Sequence, residues 1–242
     1  MAYEVLSLHA MRRKTTLDGQ IAAPPAQLAV PTKPTPKRAG RQRGFSAVEL
    51  AVVVTATLVL AGIATPKATT AIQNFRTGGN ARAIANEVAM AKMRAAADFT
   101  HARVYADLSA QTIRVDVWDT TNNIWSPDSQ NGTGISLSTG DTFGYGTSIA
   151  SAPPNTQSTL GQASACSQTN GTGTVANTAC VVFNSRGVPI DSTSTPTGAD
   201  ALYMTDGISV YGVTVAATGN IQTWRSEYTP SSCSSGSCWK HR

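Results

Sequence analysis

Residues 44–50 read Gly44-Phe45-Ser46-Ala47-Val48-Glu49-Leu50, and the chain continues as AVVVTATLVLAGIA to Ala64. From Phe45 to Ala64 there are 20 residues with a single charge, Glu49. As a helix rising about 1.5 Å per residue, this run covers roughly 30 Å, the thickness of a bilayer core. The basic cluster Lys37, Arg38, Arg41 and Arg43 stands immediately before it. Excess positive charge is retained in the cytoplasm, so the N-terminus is expected there and the rest of the chain across the membrane. The competing reading is a secretory signal peptide cut near residues 61–64. The run is longer than the usual apolar core of such a peptide, and a carboxylate near its start weakens insertion.

Upstream, residues 1–44 have no steady hydrophobic period. Pro24, Pro25, Pro31, Pro34 and Pro36 exclude a helix or a packed strand there, so a disordered leader is expected. This leader holds eight Lys/Arg against two acids, a net +6, whereas residues 45–242 hold eleven against twelve, a net −1. The overall charge of +5 therefore belongs to one end and says nothing about nucleic acid for the body. In the whole chain of 242 residues, 41% apolar content excludes wholesale disorder, and the length suits one ordinary domain with extensions.

Downstream, residues 65–97 are Ala-rich, with Ile72, Phe75, Ile84, Val88 and Met93 at loosely helical spacing. Pro66 is expected to kink the helix, and Gly78-Gly79 to loosen it. A continuous helix over 45–97 would be about 80 Å long. After Asp98 the period switches to two. Segments 103–108 and 112–118 predict a hairpin, with Ile113, Val115 and Val117 toward the helix and Arg114, Asp116 and Trp118 away from it. Further strands are expected at 179–184, 201–204, 208–216 and 221–225, with turns at 185–187 and 218–220. Between them, residues 129–179 are Ser/Thr/Gly/Asn-rich with Asp141 as their one charge, which predicts a mobile insertion with weak strands near 134–137 and 143–149. The fold class is thus α+β: a long N-terminal helix over 45–100, its first half transmembrane, packed on an antiparallel β-sheet head over 101–242.

Cys166, Cys180, Cys233 and Cys238 all lie in the last third of the chain. They fall into two sequence-local pairs, Cys166 with Cys180 and Cys233 with Cys238, although other connectivities remain open. Their spacing and the absence of a neighbouring His other than His241 disfavour zinc, so disulfides in an oxidising compartment are expected.

The basic leader ending in Gly44, then Phe45, three residues, Glu49 and a long apolar run resembles the N-terminus of type IV prepilins and pseudopilins. Pro66 also falls where many pilins carry a helix-breaking proline. The remainder more loosely resembles the GspH/FimT branch of minor pseudopilins and minor pilins. The segments that carry this are Ala91-Lys92-Met93-Arg94-Ala95-Ala96-Ala97, Val182-Phe183-Asn184-Ser185-Arg186-Gly187 and Thr218-Gly219-Asn220-Ile221. The last departs from the branch, which often has Gly-Arg-x-Arg there; Asn220 replaces the first Arg, and Arg225 is the basic residue nearby.

The resemblance implies a function. Gly44–Phe45 would be the bond cut by a prepilin peptidase, and the new amine of Phe45 would be N-methylated. Glu49, which costs about 2–4 kcal/mol in a membrane unless paired, would pair with the Phe45 amine of a neighbouring subunit and set register. Ala47, Ala51, Ala56, Ala61 and Gly62 would let such helices pack closely. The implied partners are other pilin or pseudopilin subunits, the peptidase, an inner-membrane assembly platform, and membrane lipid before assembly. Expected localisation is a bacterial inner membrane with a periplasmic head, then a pilus or pseudopilus. A second reading takes DNA as partner, as FimT-like proteins imply, with Arg225, Lys240 and Arg242 as phosphate contacts and Trp224 and Trp239 available for stacking. His9, His101 and His241 are scattered and no nucleophile–base or metal-ligand spacing occurs, so neither catalysis nor a cofactor is expected.

Overall fold

The computed structural model describes residues 44–129, 134–146, 149–227 and 238–242. Residues 1–43 of the leader and Cys233 lie outside the described residues. By its internal contacts the chain divides into Met1–Leu50 and Ala51–Arg242, and the tertiary packing below belongs to the second unit.

Helix α1 runs from Ala47 to Ala97, 51 residues. Ser46 caps it, its Oγ accepting from Val48 N at 3.4 Å. Glu49 in the first turn and Arg94 in the last complement the helix dipole. The helix continues without a break through Pro66 and Gly78-Gly79, so the expected weak point at the glycines is ordinary helix. Within the apolar part, Thr55, Thr57 and Thr65 donate their hydroxyls to carbonyls three or four residues back, which satisfies them where no water need be present. At its end, Thr100 N bonds back to Ala95 O, with Phe99 at φ 51° in the left-handed region. That is a Schellman-type stop with an aromatic residue where Gly is usual.

Eleven strands follow among the described residues. One sheet has the order β3 (Ile124–Pro127), β2 (Thr112–Asp119), β1 (Ala102–Asp107), β6 (Thr178–Phe183), β7 (Pro189–Ile190), with β4 (Ile135–Ser136) also pairing with β2. The other has the order β11 (Trp239–His241), β10 (Ile221–Glu227), β9 (Ser209–Val215), β8 (Asp200–Thr205), β5 (Thr142–Phe143). All pairings between named strands are antiparallel. The expected α+β class, one long helix packed on antiparallel sheet, is the observed one. The expected hairpin is β1–β2, in register Val104 with Val115. Of the strand expected near 143–149, the described residues form β5 (Thr142–Phe143), which stops where Gly144 and Gly146 take positive φ. Strands β3 and β11 carry no alternating signal long enough to read in advance.

One apolar core joins α1 to both sheets. From the helix come Ala81, Ile84, Val88, Ala91 and Ala95; from the sheets come Val104, Ile113, Val115, Val181, Phe183, Leu202, Met204 and Val213, among others. The helical stripe advances by alternating steps of three and four, which keeps one face on the sheets. It differs from the expected stripe: Ile84 and Val88 are buried, but Ile72, Phe75 and Met93 are exposed. Three of the five contact residues are alanines, small enough to bring the helix backbone close to the strands.

The 129–179 segment is built into the fold rather than appended to it. Ala163 N donates to Ala201 O on β8, and Ser164 O accepts from Cys180 N on β6, so one strip of backbone stitches the two sheets together. Tyr203 N and O bond the Gln162 side chain, and Ile149 belongs to a second core with Tyr203, Trp224 and Trp239. The face of β1–β2 turned away from the helix is covered as well. Arg103 and Asp116 lie directly opposite each other there and are 3% and 1% exposed, an ion pair at 2.9 Å.

Candidate functional site

The N-terminal end of α1 is apolar and is not covered by the described part of this chain. Phe45 is 81% exposed, and Leu50, Leu58, Leu60 and Ile63 are each at least 60% exposed. The helix is long and apolar enough to cross a membrane. Glu49 sits in the first turn, exposed with its apolar neighbours. A Cβ added at Gly44 or at Gly62 would meet no atom within 4 Å, so the fold of this chain does not require either glycine.

The buried half of α1 is fastened by polar contacts at both ends. Thr77, fully buried, places its hydroxyl 2.9 Å from Asp141 Oδ1 and 3.3 Å from Asp206 Oδ2, while Asn80 Nδ2 donates to Asp141 Oδ2 at 2.6 Å. Burial pushes the Asp141 carboxyl up, opposed by the Thr77 and Asn80 hydrogen bonds. Toward the C-terminus, Arg94 bonds the buried Asp128 at 2.9 Å and Lys92 Nζ donates to Gly219 O at 2.8 Å.

The three C-terminal cations separate into two kinds. Arg225 and Lys240 are cross-strand partners on β10 and β11, and both point to the helix side of the sheet. Arg225 turns inward, donating to Asn74 Oδ1 and Ser209 Oγ at 3.3 Å with Tyr211 beneath its guanidinium. Lys240 and Arg242 are exposed. Trp224 and Trp239 face the opposite side and are buried, their indoles donating to Thr214 Oγ1 and Ser151 O. Neither indole is therefore placed to stack on a base beside these cations.

Cys166 and Cys180 form a disulfide, 4.9 Å between Cα atoms, between the stitching segment and β6. Cys238 is also disulfide-bonded. Among the described residues no group of three or more His, Cys, Asp or Glu gathers in a way that could hold a metal ion.

A cleft of about 320 Å³ opens on the face of the first sheet away from the helix. Trp118 and Trp125 line one side, their rings edge-on with centroids 5.3 Å apart, and Arg103 covers the Trp125 ring at 4.5 Å. Asp200 and Asp191 line it as well. Asp200 is 9% exposed and its Oδ2 has no hydrogen-bond partner. Burial, aided by the Asp191 charge, raises its carboxyl to about 6. Asp191 is exposed; its Oδ1 accepts from Thr193 and Thr195 of its own turn, which holds it below the usual carboxylate range. His101 lines the rim. A second, smaller hollow shares His101 and Trp118 and adds the 85% exposed Phe99. Nothing in the sequence pattern marks this cleft, because its residues come from several separate segments and share no period. The nearest signal is an Asp at the first position of a strand, Asp200, where the burial pattern leaves no room for a charge.

No family model, characterised protein or solved structure matches this chain.

Proposed function

We propose that this chain is a structural subunit, a minor pilin or pseudopilin, of a type IV pilus or a type II secretion pseudopilus. The observation that carries the reading is the uncovered apolar stretch of α1 opening on Gly44-Phe45 and Glu49, continuous with a second half buried in a β-rich, disulfide-bearing body. Such a helix needs lipid around it, or other helices. A membrane supplies the first before assembly and a filament core the second afterwards. Gly44 and Gly62 add support, since their smallness serves nothing inside this chain. In this reading a prepilin peptidase cuts after Gly44, the amine of Phe45 is methylated, and Glu49 receives the amine of a neighbour as the helix leaves the bilayer. The body then lies outside the cytoplasm, where its disulfides form.

Co-expression with a prepilin peptidase tests the reading. The chain should lose 44 residues and begin at N-methylated Phe45 by mass spectrometry. An intact leader in the assembled fibre, or cleavage near residues 61–64, would defeat it.

Lys240 on edge strand β11 and Arg242 just after it, both exposed, favour a narrower second reading as a DNA-contacting minor pilin. It requires binding of the full chain to duplex DNA that weakens steeply with salt and is lost on replacing both cations with Gln.

A further inference from the structure

We propose that the cleft beside Trp118 and the smaller hollow next to it form a binding site for a neutral saccharide. The inference stands on the second unit alone and does not rest on the filament reading.

The cleft of about 320 Å³ and the hollow of about 200 Å³ share Trp118 and His101, so one extended ligand reaches both. Among the described residues no Lys or Arg lines either of them, which disfavours an anion. A cation gains little as well, because the buried Arg103 guanidinium stands behind the Trp125 wall and offsets the carboxylates of the cleft. A neutral ligand remains. Ser164, Ser192 and Ser194 line the cleft and are exposed, with hydroxyls that both donate and accept. Exposed Asp191 takes its three hydrogen bonds from Thr193 and Thr195 on Oδ1, which fixes the carboxylate and leaves Oδ2 as an acceptor. A purely apolar ligand would desolvate these groups without replacing their bonds to water.

The aromatic lining supplies the other half of sugar recognition. A pyranose with equatorial hydroxyls turns axial C–H groups to both ring faces, and these pack on the electron-rich face of an aromatic ring. Trp118 is half-buried. It is held by Trp125, edge-on at 5.3 Å, and by Gly171, where an added Cβ would come within 2.9 Å of the indole. Phe99, in the hollow, is 85% exposed and adopts φ 51°, a left-handed conformation that a bulky side chain disfavours. So exposed a ring contributes little to the packing of its own chain; it stacks on a second sugar of the same ligand.

Titration of the full chain with cellobiose tests this, in a polyoxyethylene detergent that carries no sugar, read by calorimetry and tryptophan fluorescence. Wild type should bind it saturably in the millimolar range, and cyclohexanol and glucuronate at least tenfold more weakly. Trp118→Ala should weaken cellobiose binding at least tenfold. Phe99→Gly separates binding from folding. Glycine suits the left-handed conformation, so the melting temperature should hold or rise while affinity for cellobiose falls about threefold or more. Absence of saturable cellobiose binding, equal binding of either control, or unchanged affinity in Trp118→Ala or in Phe99→Gly would each overturn the proposal.

Discussion

Lys92 Nζ donates a 2.8 Å hydrogen bond to the carbonyl oxygen of Gly219 and so ties the last part of α1 to the β9–β10 turn. The β6–β7 turn joins the same contact. Gly187 lies against the Lys92 stem, and a Cβ on Gly219 would come within 2.5 Å of Gly187 O. Three segments far apart in sequence, around residues 92, 187 and 219, therefore close on one lysine.

Gly219 has φ 75° and faces backbone, so an added methyl group has neither a relaxed conformation nor space. Gly219→Ala should destabilise the chain by about 2–3 kcal/mol, read as a lower urea midpoint at unchanged slope. Lys92→Met keeps the packing and loses a charged donor, and should cost about 1–2 kcal/mol. The two losses should be less than additive, because each disturbs the same contact. Full additivity would show that the lysine and the turn act separately.

How much of this was legible in the sequence depends on whether a feature is periodic. The apolar run, the β1–β2 hairpin and the turns at 187 and 219 are local patterns, and they appear where expected. The sequence-local pairing of Cys166 with Cys180, favoured over other connectivities, is the one observed. The helix contact face was not legible, because Ala81, Ala91 and Ala95 register as helix propensity and not as burial, while the larger Phe75 and Met93 point to solvent. Alternation along β2 assigned Asp116 to an open face, but the 160s segment covers that face. Polar, Gly-rich composition made residues 129–179 resemble an insertion; backbone hydrogen bonds to both sheets, which composition does not encode, make them structural.

The Arg103–Asp116 pair illustrates what such a covered face requires. Arg103 bonds Asp116 Oδ2 through Nε and Nη2 and Ser167 through Nη1, and Arg114 supplies the other Asp116 oxygen at 2.8 Å. Burial lowers the Arg103 pKa and Asp116 opposes that shift. Asp116→Ala leaves a buried guanidinium without its countercharge and should cost about 3–5 kcal/mol in denaturant unfolding. Arg103→Met with Asp116→Leu removes both charges and should recover most of the loss. If the double variant is no better than the single, desolvation of the guanidinium is not what makes Asp116 necessary.

The disulfide should behave as part of the interior. Cys166 is fully buried and Cys180 6% exposed, so dithiothreitol should leave the bridge intact until the chain unfolds. Its loop spans 14 residues, and Cys166→Ala with Cys180→Ala should lower stability by about 3 kcal/mol. Rapid reduction of the native protein, followed by peptide mapping, would contradict the packing.

Asp200 gives stability an unusual pH dependence. Its folded carboxyl titrates at about 6, above the unfolded value near 3.8. Between these two values the folded chain binds more protons than the unfolded one, so this group adds stability as pH falls from 7 toward 4, by about 3 kcal/mol in all. Half-buried Asp107 and Asp119 and exposed Asp191 have lowered values and act oppositely, losing stability as pH falls below about 4. Asp200→Asn should therefore raise the melting temperature at pH 7.5 and flatten the profile between pH 6 and 4. An unchanged profile in the variant would mean that the carboxyl is not desolvated in solution.

Glu49 tests the filament reading at a single side chain. It lies in the first turn of α1, exposed among apolar residues, and among the described residues it forms no salt bridge. In a bilayer that charge opposes insertion by about 2–4 kcal/mol, so Glu49→Val should insert as well as wild type or better. Peptidase cleavage after Gly44 should persist, because the scissile bond is untouched. Incorporation into filaments should fall sharply, since the amine of a neighbouring Phe45 then enters an apolar core without a countercharge. Glu49→Gln should fail in the same way, because it retains hydrogen bonding but not charge. Membrane fractionation, N-terminal mass spectrometry and immunogold labelling of sheared filaments read the three steps separately. Wild-type incorporation of both variants would remove Glu49 from the assembly mechanism, and loss of insertion would show that its charge acts on the membrane helix itself.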